Sequence, residues 1–193
     1  NVNSEFPYAL KDLCDVNNAK LIHVSTDCVF NGKKGNYNER NKPNALDIYG
    51  KSKALGEIND EKHLTIRTST IGFEKNSKYG LLEWFLNQKK ECYGFTNAYF
   101  SGLTVLELAK ILYDYIFFNN NLFGLYNISS YKISKHDLLI KFSTYFNKNI
   151  KIIPEDSFVI DRTLDNTKFT NKTNYKTKTW DYMLKQISSQ INE

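Results

Sequence analysis

Two short apolar runs, each preceded by a segment with helical spacing, constrain the fold of this 193-residue chain more than any other feature. Residues 6–16 carry apolar side chains at helical spacing, and the run KLIHVST follows at 20–26. Residues 49–60 repeat the helical pattern, and HLTIRTSTIG follows at 63–72. Short continuous apolar runs are typical of strands that are buried on both faces of a parallel sheet. The order helix, strand, helix, strand therefore predicts an α/β fold with a parallel sheet.

The pattern changes after residue 73, and the second part of the chain is predicted to form a smaller mixed lobe. Helices are predicted from GLLEWFLNQKK, TVLELAKILYDYIFF, KHDLLIKFSTYF and residues 180–191. GLYNIS and IKII are predicted to be short strands, and Ser134 with Asp137 resembles a capping box at a helix start. We therefore expect a sheet domain over residues 1–73 and a lobe over residues 74–193, with some chain returning to the sheet.

Composition argues against several classes of function. The net charge is +5, but only Arg40, Arg67 and Arg162 are arginines among the 26 basic residues, so nucleic-acid binding is not predicted. The three cysteines are far apart, and no Cys-x-x-Cys pair or suitably spaced histidine predicts a metal site. No apolar run approaches the roughly 20 residues that span a bilayer, and residues 1–10 lack the pattern of a secretion signal. We therefore expect a cytoplasmic protein without a membrane partner.

The candidate catalytic residues are two hydroxyls and a tyrosine–lysine pair. Ser25 and Thr26 end the first predicted strand, where parallel sheets bind their ligands. Tyr49 and Lys53 are four residues apart and so share one face of the predicted helix. An ammonium group near a phenol lowers a pKa that starts near about 10, which makes Tyr49 a candidate proton donor or acceptor.

The tyrosine–lysine spacing is not specific by itself, because it also occurs at Tyr131 and Lys135. The position 23 residues before Tyr131 is Leu108, inside a predicted helix, whereas the same step back from Tyr49 reaches Thr26 at the end of a strand. Tyr131 is therefore interpreted as a loop or surface residue, and Tyr49 as the candidate.

Four sequence features of the chain resemble the extended short-chain dehydrogenases/reductases, in particular the dTDP-4-dehydrorhamnose reductase-like branch that acts on sugar nucleotides. They are the pair ST, the pattern VF-G, a loop that contains Y-E, and the stretch YGKSKALGE. The resemblance continues through LTIRTSTIG, SGLTVLELAKIL, GLYNIS and RTLDNTKF and covers nearly the whole chain. It implies the C-terminal part of a Rossmann-type parallel sheet with a smaller mixed α/β substrate-binding lobe. The Gly-rich turn that holds the pyrophosphate is missing from the pattern, so we expect a C-terminal part of a longer enzyme that binds cofactor poorly alone.

The resemblance also implies roles for individual residues. It implies NAD(P)-dependent reduction of a keto group on a nucleotide-linked sugar, in deoxysugar or surface-polysaccharide biosynthesis, with NADP or NAD as cofactor. The implied catalytic residues are Thr26, Tyr49 and Lys53. The implied cofactor-binding residues are Ser25, Tyr49, Lys53, Thr68 and Ser69. The implied substrate-binding residues are Thr26, Cys28, Val29 and Thr70. Rhamnose-forming enzymes usually carry Tyr at the position of Cys28 and Trp at that of Thr70, so the particular sugar stays open. A homodimer is also possible.

Two other interpretations of the same fold stay open. One is a sugar-nucleotide epimerase, and the other is a non-catalytic binding subunit, like the regulatory subunit of methionine adenosyltransferase. The intact set of Thr26, Tyr49 and Lys53 favours an enzyme, whereas the missing phosphate site favours a binding role. Outside this set, Arg162 and Asp165 are predicted to form a structural ion pair.

Overall fold

The computed structural model describes residues 2–74 and 77–189. The helices are α1 (Phe6–Val16), α2 (Ile48–Leu55), α3 (Leu81–Leu86), α4 (Val105–Ile111), α5 (Lys135–Tyr145), α6 (Thr167–Thr173) and α7 (Trp180–Ser188). The strands are β1 (Ile22–Thr26), β2 (Leu64–Thr68), β3 (Thr70–Ile71), β4 (Glu91–Phe95), β5 (Ala98–Phe100), β6 (Leu103–Thr104), β7 (Gly124–Asn127), β8 (Ile133–Ser134), β9 (Lys151–Glu155) and β10 (Ile160–Asp161). A 3₁₀ turn (Asp27–Val29) follows β1, and a π-helical turn (Leu112–Ile116) continues α4.

The sheet that carries the candidate residues is parallel and has the order β1-β2-β7. Thr26 lies opposite Thr68 in the first pair of strands, and Arg67 lies opposite Asn127 in the second. Shorter pairings join β3 with β6 and β4 with β9, while β5 lies between β10 and β8. The predicted α/β fold with parallel sheets is confirmed. β7 returns from the second part of the chain to pair with β2.

One hydrophobic core connects the sheet with the later helices. Leu64 and Ile66 of β2 are fully buried and belong to the same cluster as Phe142 of α5 and Leu184 of α7. Full burial of a side chain of this size contributes about 1.5–3 kcal/mol. Because both parts of the chain share this core, the division at residue 73 stays a prediction.

The polar loop over residues 31–44 is held on the sheet. The rings of Phe30 and Tyr37 stack with 4.0 Å between their centroids. Asn127 of β7 donates from its side chain to the Tyr37 carbonyl oxygen and from its backbone to Glu39, both at 2.8 Å. These contacts fix the connection between β1 and α2, and so help to set where α2 begins.

Several predicted boundaries differ from those in the structure. α2 ends at Leu55 and not at residue 60, because Gly56 caps it and the chain turns toward β2. The helix predicted over GLLEWFLNQKK ends at Leu86, because residues 87–90 form the turn that leads into β4. The last helix is described to Ser188, and residues 190–191 of that prediction lie outside the described residues. The predicted helix start at Ser134 is confirmed, since its Oγ accepts a hydrogen bond from the Asp137 backbone at 3.0 Å, whereas the Asp137 carboxylate contacts His136 and does not complete a reciprocal capping box.

No helix in residues 2–74 or 77–189 is long and apolar enough to cross a membrane. Within the same residues, no group of three or more His, Cys, Asp or Glu side chains could hold a metal ion.

Candidate active site

The candidate site begins where β1 ends in a tight turn. Thr26 is buried, and its Oγ1 accepts a hydrogen bond from the backbone of Cys28 at 3.1 Å, which caps the 3₁₀ turn. Because Thr26 lies opposite Thr68 in a parallel pair of strands, both residues reach the same carboxyl edge of the sheet. Parallel sheets bind their ligands at this edge. The fold thus brings together two of the segments that the sequence singled out.

The first turn of α2 brings Tyr49 to the same edge. Asp47 caps the helix, since its Oδ1 accepts a hydrogen bond from the Gly50 backbone at 2.7 Å. Gly50 lies against the 3₁₀ turn so closely that a Cβ there would be 2.1 Å from the carbonyl oxygen of Cys28. Only glycine permits this approach. Gly50 is therefore a site residue that the sequence analysis missed, although a glycine directly after the candidate tyrosine was a visible signal.

The phenol of Tyr49 is half-exposed and interacts with the Thr26 hydroxyl. Partial burial raises the pKa of Tyr49 above its ordinary value of 10.0, the hydrogen bond with Thr26 lowers it, and the nearby Asp27 carboxylate raises it again. Lys53 donates instead to the carbonyl oxygen of Val24, with 2.8 Å between Nζ and O. The expectation that Lys53 lowers the pKa of Tyr49 is therefore wrong for this arrangement, because the ammonium is held at the strand.

Ser25, which is predicted to bind the cofactor, uses its hydroxyl elsewhere. The residue is 4% exposed, and its Oγ donates to Glu57 Oε1 at 2.7 Å. Glu57 also forms a bidentate ion pair with Arg67, at 2.8 Å from Nε and 2.7 Å from Nη2. The Ser25 hydroxyl proton is therefore already used, and this hydroxyl could contact a cofactor only as an acceptor. The sequence analysis missed this ion pair, although an arginine inside the apolar run LTIRT was its signal.

A charged cluster lies beside Tyr49 on the side of Cys28. Arg162 Nη1 donates to Cys28 Sγ at 3.3 Å, and Nη2 lies 3.6 Å from Asp47 Oδ2. The predicted ion pair between Arg162 and Asp165 is therefore wrong. Arg162 reaches across to the start of α2, and the Asp165 carboxylate accepts hydrogen bonds at the start of α6.

Asp27 is a buried carboxyl group within this cluster and was also missed by the sequence analysis. Burial raises the pKa of Asp27, while hydrogen bonds with Cys28 and Thr26 and the positive charges of Arg162 and Lys135 lower it. An acidic residue directly after the strand hydroxyls was the available signal. The carboxyl edge therefore carries charges of both signs next to Tyr49.

The remaining predicted site residues lie in different environments. Thr68 is buried, and its Oγ1 has no hydrogen-bond partner within residues 2–74 and 77–189. Ser69 is half-buried, and Thr70 is exposed. Val29, predicted to face the sugar, is instead fully buried in a cluster with Phe30, so its side chain does not reach the open edge.

Comparisons with known proteins give the family and the fold that this chain resembles. Residues 1–96 match the family model described as RmlD substrate binding domain. A segment of 57 residues is 46% identical to dTDP-4-dehydrorhamnose reductase of Aggregatibacter actinomycetemcomitans and covers 27% of this chain and 19% of that protein. A segment of 43 residues is 49% identical to methionine adenosyltransferase 2 subunit beta of Danio rerio and covers 22% of this chain and 13% of that protein. The aligned segments thus span only small parts of these curated relatives.

The fold is similar to that of a solved dTDP-4-dehydrorhamnose reductase from Bacillus anthracis in complex with NADP. The TM-score is 0.83 at 20% sequence identity, and the match covers 97% of this chain and 71% of that one. At this identity the similarity concerns the fold alone. Residues 1–96 therefore match the RmlD family, whose relatives include a sugar-nucleotide reductase, and the chain as a whole shares the fold of such a reductase.

Proposed function

We propose that this chain carries the proton-transfer and substrate-binding residues of an NAD(P)-dependent reductase that acts on a keto group of a nucleotide-linked sugar. The observation that carries the proposal is the packing of the start of α2, where Tyr49 lies, on the turn that follows Thr26 at the carboxyl edge of a parallel sheet. The name of the relative from Aggregatibacter actinomycetemcomitans supports the same substrate class.

Two adjacent hydroxyls suit the reduction of a carbonyl group. Thr26 would hold the carbonyl oxygen by a hydrogen bond, and Tyr49 would transfer its phenolic proton to that oxygen as the carbonyl carbon becomes an alcohol carbon. The raised pKa of Tyr49 keeps the phenol protonated near neutral pH, which is the form that a proton donor needs. When bound, NADPH or NADH supplies the hydride.

The residues at this edge fit the nicotinamide end of such a cofactor. Thr68 Oγ1 is buried and lacks a partner in the described part of the chain, so it is available to a bound ligand. Lys53 has three N–H donors, of which the structure uses one on Val24. We infer that Tyr49, Lys53, Thr68 and Ser69 would contact this end. For the pyrophosphate, the described residues offer no glycine-rich turn that opens a helix.

The substrate side of the site carries positive charge. Arg162 and Lys135 both act on Asp27, and Arg162 contacts Cys28, so both cations lie near the proposed reaction centre. Lys135 also lines a cavity of about 170 Å³ with aromatic walls from Trp84, Tyr93 and Phe95. A cation beside flat apolar walls suits a base joined to phosphates. Cys28 and the exposed Thr70 would contact the sugar.

The test of the proposal is the reduction of dTDP- and UDP-linked 4-keto sugars by NADPH or NADH, followed by loss of nicotinamide absorbance. The Tyr49→Phe substitution should lower kcat by about 10²–10⁴-fold, the usual value of general acid catalysis. Tyr131→Phe is the matched control, because Tyr131 is exposed and also precedes a lysine by four residues. Equal effects of the two substitutions, or absence of turnover by the complete protein at saturating cofactor, would contradict the proposal. Epimerisation would change the sugar without net consumption of the cofactor.

Binding without turnover is a second candidate function, favoured by the similarity to a subunit of methionine adenosyltransferase 2. In that case the chain should form a stable complex with the other subunit of such an enzyme, and Tyr49→Phe should leave this complex intact. Sedimentation of that subunit mixed with the wild-type chain, and again with Tyr49→Phe, shows whether the complex forms and whether it survives the substitution. This separates binding from catalysis.

A further inference from the structure

A buried ion pair lies directly behind the candidate catalytic residues. The side chains of Arg67 and Glu57 are 2% and 7% exposed, and two hydrogen bonds join them. Taking two charges out of water costs so much that buried pairs are often replaced by apolar side chains without loss of stability. Stability alone is therefore a weak reason for this pair.

Ser25 connects the ion pair to β1. Its hydroxyl donates to Glu57 Oε1 at 2.7 Å. The residue before it, Val24, provides the carbonyl oxygen that accepts from Lys53, and the residue after it is Thr26. The residue that contacts Glu57 thus lies in β1 directly between Val24, which accepts from Lys53, and Thr26, which carries the candidate hydroxyl.

The ion pair also reaches the turn that follows Thr26. The guanidinium carbon of Arg67 lies 5.0 Å from the centre of the Phe30 ring, and Phe30 directly follows the 3₁₀ turn. Arg67 itself belongs to β2, opposite Ser25 in the parallel register. The pair therefore holds the end of β1 both through Ser25 and through the turn.

We propose that Ser25, Glu57 and Arg67 are positioning residues that hold the end of β1 so that Thr26 and Lys53 keep the arrangement required for reduction. The effect on turnover rests on the proposed function. The positioning itself is measurable without any substrate, so the two can fail separately.

The pKa of Lys53 depends on the charges around this residue. It therefore provides a measurement that general destabilisation of the fold does not change. His23 faces Lys53 from β1, and Glu57 faces it from the segment after α2. Burial lowers the pKa of Lys53, and Glu57 raises it. Removal of the Glu57 charge also leaves the Arg67 charge unbalanced, so the pKa of Lys53 should fall further in Glu57→Gln.

The first experiment compares Glu57→Gln with Glu107→Gln. Glu107 is the matched control because it is 2% exposed and accepts a hydrogen bond from Tyr175 at 2.8 Å, in α4. NMR of ¹³C-labelled lysine, assigned with Lys53→Arg, should show a lower titration midpoint of Lys53 in Glu57→Gln only. Amide exchange at Cys28, whose N–H donates to Thr26, should also be at least about tenfold faster in that variant only. An unchanged midpoint and exchange rate, or equal changes in both variants, would overturn the inference.

Ser25→Ala is a milder variant that keeps the ion pair, and it decides the question if Glu57→Gln does not fold. Its control is Ser129→Ala, since Ser129 is 1% exposed and donates to Leu164 at 2.8 Å. Ser25→Ala should speed amide exchange at Cys28 and lower kcat by about tenfold or more with little change in KM, because small misplacements of reacting groups slow turnover. Ser129→Ala should do neither. If the wild type shows no turnover, the exchange rates still decide the positioning inference, and equal rates in the two variants would end it.

Discussion

Replacement of Gly50 by alanine tests the close contact between α2 and the turn after β1. Glycine inside a helix is about 1 kcal/mol less favourable than alanine, so the substitution would stabilise α2 if the methyl group had room. The added Cβ would instead lie 2.1 Å from the Cys28 carbonyl oxygen and 2.6 Å from the Ala45 Cβ. Neither neighbour is a long flexible side chain, so the helix must move by about 1 Å to reach ordinary contact distances.

Overpacking costs about 1–3 kcal/mol, and an approach of 2.1 Å to a backbone oxygen corresponds to the upper part of this range, about 2–3 kcal/mol; after subtraction of about 1 kcal/mol for helix propensity, we expect Gly50→Ala to lose about 1–2 kcal/mol of unfolding free energy. For a chain of this size, that corresponds to a fall in Tm of about 2–8 °C. Urea unfolding measures the loss. The exposed neighbour Lys51→Ala, which meets no clash, should stay within about 0.5 kcal/mol of wild type.

The same displacement would separate Tyr49 from Thr26. A misplacement of about 1 Å lowers turnover by about 10²-fold, so Gly50→Ala should lose kcat beyond what its reduced stability explains. A Gly50→Ala protein that is more stable than wild type and retains its kcat would refute the reasoning, because the helix would then have room for the methyl group.

Two further predictions concern groups outside the candidate site. Burial raises the pKa of Asp161, but hydrogen bonds with Lys132 and Thr163 outweigh it and hold the pKa below 3.8. The resulting stabilisation is present above the unfolded pKa and is lost as the pH falls through the folded one, so the deficit of Asp161→Asn in urea unfolding should be smaller at about pH 2 than at about pH 7. An equal deficit at both pH values would contradict this. Tyr175→Phe should lose about 1–3 kcal/mol of unfolding free energy, because it removes the one hydrogen-bond partner described for the buried Glu107 carboxylate. Tyr113→Phe is the control, since Tyr113 is exposed. Equal stability of the two variants would count against this prediction.

The parallel sheet and its carboxyl edge were predictable because they depend on local patterns. Continuous apolar runs predict β1 and β2, and the hydroxyls at the end of β1 follow from where the run stops. The Ser134 cap of α5 was predictable for the same reason, since donor and acceptor are three residues apart. Each of these features is decided within a few neighbouring residues.

Long-range contacts were not predictable in the same way. Arg162 contacts Cys28 across 134 positions of sequence, and no local pattern distinguishes that partner from the nearby Asp165. The short strands β5, β8 and β10 carry two or three residues each, too few for a period-two pattern. The Arg67 and Glu57 pair is closer in sequence, but it forms only because Gly56 ends α2 and turns the chain back toward β2.

The protonation of Tyr49 connects the geometry to the direction of the proposed reaction. A carbonyl group that is being reduced takes up a proton, so the reacting side chain must be a neutral phenol, whereas the oxidation of an alcohol requires a phenolate. Burial raises the pKa of Tyr49, and Lys53, which lies one helical turn away and could favour the phenolate, is bound to the Val24 carbonyl oxygen. The interaction with Thr26 counteracts only part of the rise, so the phenol remains protonated. The arrangement therefore suits Tyr49 as the proton donor in reduction better than as the proton acceptor in oxidation. The contacts that fix Val24 and Thr26 at the end of β1 thus also determine whether Tyr49 acts as donor or acceptor.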